Sequence, residues 1–343
     1  MSDDTTSANV GPRFAGMAKD SGLRRGNIPW RRLAFPMLFL ILLLVFIVTV
    51  PTFWSASTLK NVIAGGAVLM LVALAMTVVV STGGIDLSVD TSFDLGAWFV
   101  VVIMLNTGLP WPVAALLAMA IGSLVGLINA LLIARLRISP FLATLGVYFV
   151  GRSFQKVGTN GGGNVEFFDM PDAFHEIGAG NILGINTKAW IAAVVALLVW
   201  FALSRTVFGR RIEAIGMQER SAVNMGIPVS RYKTEAYVLS SAICALGGVL
   251  LTAQLQMFTP LTGYNYQTDA ISAVFIGAAM HQRVRPNVGG TVFAVLFLST
   301  VGTGLDLMGL DFNLKVAIRG LILVLALAAV SGLAKSSLVG RGR

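Results

Sequence analysis

NVIAGGAVLMLVALAMTVVVSTGGIDLSVDTSFDLGAW, residues 61–98, changes character in its middle. Its first part is aliphatic and long enough to cross a bilayer, whose hydrocarbon core takes about 20 helical residues. Then GGIDLSVD, residues 83–90, brings a glycine pair, a serine and two carboxylates, and Asp94 follows four residues after Asp90. Three aspartates at spacings of four beside an apolar run demand either water or a protected polar interior.

The rest of the chain shows that the first part is not an isolated span. Of 343 residues, 56% are hydrophobic and 12% charged, with a mean hydropathy of +0.80. A soluble domain carries about 25% charged residues. Apolar runs recur at about 33–50, 61–82, 92–106, 111–134, 138–157, 188–206, 234–255, 269–283, 287–305 and 313–333. The expectation is an all-α polytopic membrane protein of about ten transmembrane helices. Residues 1–32 form a basic N-terminal tail, 33–333 the membrane domain and 334–343 a short tail. No A-x-A-like cleavage site follows the first run, so it is read as a retained span.

The net charge of +9 raises the question of nucleic acid. The basic residues sit in short segments beside apolar runs, with no aromatic-interleaved stripe, so no nucleic-acid partner is expected. Ten spans with the N-terminus inside put Arg135 and Arg137, then Arg210, Arg211, Arg220, Arg231 and Lys233, then Arg283 and Arg285, and the tail's Lys335, Arg341 and Arg343 on one side. The segment at 158–187 falls on the other side, with Glu166, Asp169, Asp172 and Glu176 and no Lys or Arg. This is the positive-inside pattern, with both termini cytoplasmic. Two groups of five spans have opposite orientations, an inverted five-plus-five repeat of the kind transporters use. Gly122 and Gly126 form a G-x-x-x-G pattern that lets helices approach closely.

Several chemistries are excluded. No lysine follows a glycine, so the phosphate-cradling G-x-x-x-x-G-K-[ST] loop is absent and the chain is not itself an ATPase of that type. G-x-S-x-G and H-E-x-x-H are missing too. The two histidines, His175 and His281, lie in different loops, and no metal site is expected. Cys244 is the lone cysteine and reads as a small buried hydrophobe. No enzyme activity and no cofactor are expected.

The segment RTVFGRRIEAIGMQERSAVNMGIPVSRYK, residues 205–233, is too polar to span. It reads as short helices broken at Gly209, Gly216, Gly226 and Pro228. Two readings stay open on the residues alone: a basic loop that fixes topology, or a docking element for a cytosolic partner.

GGIDLSV at 83–89, GLINALLIARLRISPFLATLG at 126–146, GRRIEAIG with SAVNMGIPVSRYK across 209–233, YNYQTDAISAVFIGA at 264–278 and NLKVAIRGLILVLA at 313–326 occur in this order. Together they resemble the ribose-type monosaccharide permeases of ATP-driven (ABC) importers, over roughly residues 35–333. The resemblance implies a permease dimer, of like or unlike copies, in a bacterial inner membrane, with two cytosolic ABC ATPase subunits that use the ATP and a periplasmic sugar-binding protein. It also implies that residues 207–233 are the ATPase-coupling loop. Arg210, Arg211, Ile215, Gly216, Ala222, Gly226 and Ile227 are its residues, and the coupling helix lies near 215–226. The acidic 158–187 segment would then meet the binding protein. The family has glycine where this chain has Asp90, and Asp94 is unusual at its position.

Candidate substrate-pathway residues are Asp86, Ser88, Asp90, Asp94, Asn129, Thr144 and Tyr148, with Gln155 and Asp269 beside them. In a helix, i and i+4 share a face, so the three aspartates form one stripe that lipid does not tolerate. They either stand in water at the cytoplasmic end, Asp86 capping a helix, or line a polar path. The polar residues of the fourth and fifth spans equally suit interhelical hydrogen bonds. The alternative to an ATP-driven importer is an ion- or proton-coupled secondary transporter using Asp86 and Asp90.

Overall fold

The computed structural model describes residues 30–167, 169–281 and 283–339. The expected N-terminal tail up to residue 29 and the arginines at 341 and 343 lie outside the described residues. The chain is helical: α1 (Trp30–Thr49), α2 (Ala56–Val80), α3 (Val89–Thr107), α4 (Trp111–Ala130, with a π turn over Leu131–Arg135), α5 (Pro140–Gly158), α6 (Asp172–Ala179), α7 (Thr187–Arg205), α8 (Val207–Met217), α9 (Glu219–Asn224), α10 (Val229–Leu255), α11 (Gly263–Met280), α12 (Val288–Leu307) and α13 (Phe312–Val339). Two small antiparallel ladders supplement them. β1 (Val165–Glu166) pairs with β4 (Met257–Phe258), and β2 (Asn181–Ile182) with β3 (Ile185–Asn186).

Each of the ten apolar runs is a helix. By length and composition, six helices among the described residues are apolar enough to cross a membrane: α2, α3, α4 with its π turn, α7, α10 and α12. A shorter apolar helix covers Phe35–Thr49. α5 and α11 fall outside that set because polar residues interrupt them, among them Arg152 and Lys156 in the first and Asn265, Gln267 and Asp269 in the second. Outward faces carry Leu40, Leu44, Leu116, Leu124, Leu142, Phe149, Leu197, Phe201 and Leu321 in the open. A girdle of that extent on a folded chain is a lipid-facing surface. This is an all-helical polytopic membrane protein.

Local chemistry sets the helix limits. The Ser55 hydroxyl caps α2 by accepting from Thr58 N at 3.2 Å. Gly108, left-handed at φ +64°, ends α3, and Pro112 stands in the first turn of α4, where its missing N–H leaves no helix bond broken. α2 and α10 lie at the centre, with Leu71, Leu74, Met76 and Leu250 fully enclosed. The G-x-x-x-G expectation is met. A Cβ on Gly122 would stand 2.5 Å from that of Ala245, and one on Gly126 only 2.6 Å from Ser241 Oγ, so α4 lies directly on α10.

Two boundaries differ from expectation. α3 begins at Val89, so Asp90 and Asp94 belong to a packed helix and not to a hydrated connection. The supposed loop at 158–187 contains α6, whose Phe174 is fully buried and packs against Trp111. Neither was visible from hydropathy, because α3 opens on polar residues and α6 has eight residues.

Candidate functional site

Between α2 and α3, residues 81–88 are not helical. At one end Gly84 faces the Tyr237 hydroxyl, and beyond it the Phe93 carbonyl lies against Gly248. The segment and the start of α3 thus pass from the Tyr237 side chain to Gly248 along α10. GGIDLSVD therefore rises through the interior of the bundle. Non-helical backbone at such depth persists only where protein satisfies its polar groups, and here three helices do so. Thr144 of α5 donates to the Ile85 carbonyl at 3.3 Å, and Gln267 of α11 donates to the Leu87 carbonyl at 2.8 Å. Asp86 Oδ1 accepts from Ser88 N at 2.8 Å and from Ser88 Oγ at 2.7 Å. Asn129 of α4 donates to Ser88 Oγ at 2.6 Å.

Asp86, Asp90 and Asp94 are 0%, 2% and 0% exposed, which corrects the reading that put them in cytoplasmic water. Asp86 closes a turn onto Ser88 instead of capping α3, whose N-cap position is Ser88 itself. Asp90 Oδ1 accepts from Thr91 N at 2.6 Å. Asp94 Oδ1 accepts from Gly263 N at 2.9 Å, the first residue of α11. A carboxylate there meets the positive end of the helix dipole. Gly263 is required by space as well, since a Cβ would stand 2.7 Å from the Asp90 carbonyl oxygen. Gln155 Oε1 holds the same turn through Leu261 N at 3.0 Å.

Thr144, Tyr148 and Arg152 recur every four residues on α5. Arg152 donates to the Tyr148 hydroxyl and lies over the rings of Tyr148 and Tyr264, at 5.3 and 5.6 Å. Arg152 is the cation on the side of Asp90 and Asp94. Sequence reasoning passed over Arg152, although its four-residue spacing from Tyr148 was legible. It also missed Gln267 and Tyr237. Asp86, Ser88 and Asn129 are thus brought into direct contact, Thr144 touches the same segment, and Tyr148 joins through Arg152. Among the described residues, Asp86 Oδ2 and Asn129 Oδ1 are buried with no hydrogen-bond partner, and the Gln155 side chain lies beside the Asp94 carboxyl. Asp269 is not at the start of its span. It lies within α11 and pairs with Arg319 of α13 at 3.2 Å.

The basic segment forms α8 and α9. Gly209 and Gly216 do not break helices as expected; both lie inside α8. Gly226, at φ +74°, does end the α9 turn before Pro228. Ile212, Ile215 and Ala222 pack with Val229 and Tyr232 into a small separate core, with Ile227 at its edge. Arg211 donates to the Tyr232 hydroxyl, and Lys233 pairs with Glu219 at 2.7 Å. Arg210, Arg220, Val223 and Met225 are exposed. A Cβ on Gly216 would meet the Ser81 carbonyl and stand 3.0 Å from Gly83 N, so α8 rests on the foot of the GGIDLSVD segment.

Known proteins resemble this chain over nearly its whole length. The ribose import permease protein RbsC of Escherichia coli (strain K12) is 31% identical over 309 residues, covering 89% of this chain and 96% of that protein. RbsC of Bacillus subtilis (strain 168) is 34% identical over 289 residues, covering 84% and 89%. The galactose/methyl galactoside import permease protein MglC of Haemophilus influenzae is 28% identical over 313 residues, covering 86% and 92%. Among solved structures, PsaBC from Streptococcus pneumoniae in complex with Fab aligns at a TM-score of 0.44 and 17% identity, over 83% of this chain and 92% of that one. Residues 58–327 match the family described as branched-chain amino acid transport system / permease component, and the chain belongs to that family of transport permeases.

Proposed function

We propose that this chain is the membrane-spanning subunit of an ATP-driven, binding-protein-dependent importer in a bacterial inner membrane, and that its solute is a monosaccharide. One observation carries the mechanism: the exposed α8–α9 hairpin rests on Ser81 and Gly83, the foot of the segment that leads into the buried polar track. Cytosolic ATPase subunits press on α9, α8 transmits the displacement to residues 81–84, and the hydrogen bonds held by Thr144, Gln267 and Asn129 are re-made. The chain hydrolyses no ATP itself.

Asp86, Ser88, Asp90, Asp94, Asn129, Thr144, Tyr148 and Arg152 are the pathway residues in this reading. Carboxylate, amide and guanidinium groups suit paired sugar hydroxyls, and the Tyr148 and Tyr264 rings suit C–H faces. Unpartnered buried oxygens of Asp86 and Asn129 give a passing hydroxyl acceptors to donate to. The relatives' names, ribose and galactose or methyl galactoside importers, favour sugar. The family description favours a branched-chain amino acid as the second reading. Carboxylates and amides gathered along the segment argue for hydroxyls over an isobutyl group.

Topology follows the same reading. We infer ten crossings in two inverted groups of five, both termini on the α8–α9 side, which is cytoplasmic. The acidic opposite end, with α6 and the β1–β4 ladder, receives a periplasmic sugar-binding protein. A second permease copy or a paralogue completes the pair, and lipid covers the apolar girdle.

The test is reconstitution with ATPase subunits and binding protein in liposomes, with ribose, galactose, leucine and valine as solutes. The expected result is ATP hydrolysis stimulated by a sugar, and sugar uptake that an uncoupler leaves intact. Uptake without an ATPase, abolished by an uncoupler, would establish a secondary transporter using Asp86 and Asp90. Stimulation by leucine or valine alone would replace sugar by amino acid.

A further inference from the structure

On α11, Gly263, Tyr264 and Gln267 face the polar track, whereas Asn265, Tyr266 and Asp269 project from the opposite side, given about 100° per residue. That second side opens into a cleft of about 280 Å³ between α2, α11, α12 and α13. Asn265, Tyr266, Asp269, Thr303, Asp306 and Arg319 line it. None of them belongs to the track described above.

We propose that this cleft is a second binding site, for a neutral polyhydroxylated molecule of monosaccharide size. Charge decides the class. Arg319 is paired with Asp269 at 3.2 Å, and Lys315 with Asp306 at 2.6 Å. Two cations and two carboxylates cancel, so a phosphate or sugar acid would have to displace Asp269 from its arginine, and an amine would have to displace a lysine or arginine. A neutral hydroxyl pair displaces nothing. A guanidinium has five N–H donors in a fixed plane, and Arg319 gives one nitrogen to Asp269. Its other terminal nitrogen stands 3.7 Å from where a Gly302 Cβ would be, so glycine leaves that nitrogen approachable from the cleft. The Asn265 amide is exposed and supplies both a donor and an acceptor. The half-buried Tyr266 ring, held 5.2 Å from that of Phe93, supplies an apolar face.

Size agrees. The cleft lies just under the range of about 300–1,000 Å³ typical for drug-sized ligands. One hexose or pentose fits it; an oligosaccharide does not. Its lining comes from the halves of α11 and α12 remote from α8, so a solute there is separated from the coupling hairpin by most of a helix length.

The choice of probe rests on the sugar reading above, and the test is arranged to separate the two. The full chain in lipid nanodiscs, without ATPase or binding protein, is titrated with radiolabelled ribose and galactose by equilibrium dialysis. Saturable binding is expected, weakened about tenfold or more by Asn265→Leu and by Gly302→Val, and changed less than about twofold by Leu197→Ala on the lipid-facing girdle. Both cleft variants alter groups at the cleft surface, and a monodisperse profile with unchanged Tm verifies their folding. No saturable binding of either sugar, or binding that survives both cleft variants, overturns the proposal. Uptake intact with no cleft binding sinks this inference alone. Cleft binding with no sugar uptake sinks the transport reading alone.

Discussion

Gly83 and Gly216 meet backbone to backbone, a Cβ on Gly83 standing 3.2 Å from the Gly216 Cα. One glycine closes the turn that follows α2 at φ +83°, and the other lies in the last turn of α8. No other residue type allows α8 to sit this close to the segment. The contact joins the only two regions that the transport reading needs to couple.

Gly216→Val is therefore expected to uncouple. Its side chain has nowhere to go but into the Ser81 carbonyl, an overpacking worth about 1–3 kcal/mol. The ATPase should still co-purify, because the exposed face of α9 is untouched, while sugar-stimulated hydrolysis drops about tenfold for each 1.4 kcal/mol of lost coupling. Gly226→Ala meets open space and only the left-handed φ, a strain of about 1–2 kcal/mol. It should lower Tm with coupling retained. Equal coupling in Gly216→Val and the unmodified chain would remove α8 from the relay.

Asp94 and Gly263 give a second prediction. Asp94→Ala strips the acceptor from the first N–H of α11, and leaving a buried donor unpaired costs about 1–3 kcal/mol. Asp94→Asn keeps an acceptor for that N–H, so its cost is smaller. Tm in detergent should fall in the order Ala, then Asn. Identical Tm values for the two variants would mean that the hydrogen bond contributes nothing.

The ten long helices were legible because each carries its own apolar run, which α6, α8 and α9 do not, and the Gly122–Gly126 packing because small-residue spacing is a direct statement about backbone distance. The start of α3 was hidden for a physical reason. Asp90 and Asp94 look solvated until α5 and α11 close over the segment and α3, through bonds between residues 59 and 169 positions apart. Gly209 and Gly216 carry the same ambiguity from the other side. A glycine required for close approach inside a helix has the same letter as one that ends it. Arg152 was passed over because a lone basic residue near the end of an apolar run first suggests topology, and only its stacking on Tyr148 and Tyr264 reveals another use.

Asn129 distinguishes scaffold from pathway. An interhelical hydrogen bond in a membrane contributes about 0.6 kcal/mol on average and about 1.7 at most. Asn129→Leu removes the donor to Ser88 Oγ and should change Tm by no more than that implies. If Asn129 also partners a passing hydroxyl through its free Oδ1, sugar uptake should fall about tenfold or more, beyond what such a small destabilisation explains. Uptake tracking Tm across Asn129→Leu, Asn129→Ser and Asn129→Asp would reduce it to a structural bond.

Arg152 tests whether charge or shape matters on α5. Arg152→Lys keeps the cation opposite Asp90 and Asp94 but gives up the planar fork and the stacking on two tyrosines. Each cation–π contact is worth about 0.5–1 kcal/mol where water has access, and Arg152 is half-buried. The stability loss should then be about 1–2 kcal/mol, similar in Arg152→Lys and Arg152→Gln, since both lose the stack. Transport should separate them. If the guanidinium binds paired hydroxyls, both variants lose uptake about tenfold or more and higher solute concentration partly restores it. If Arg152 only balances the two carboxylates, the lysine variant transports normally and only the glutamine variant fails, and the hydroxyl-binding role is overturned.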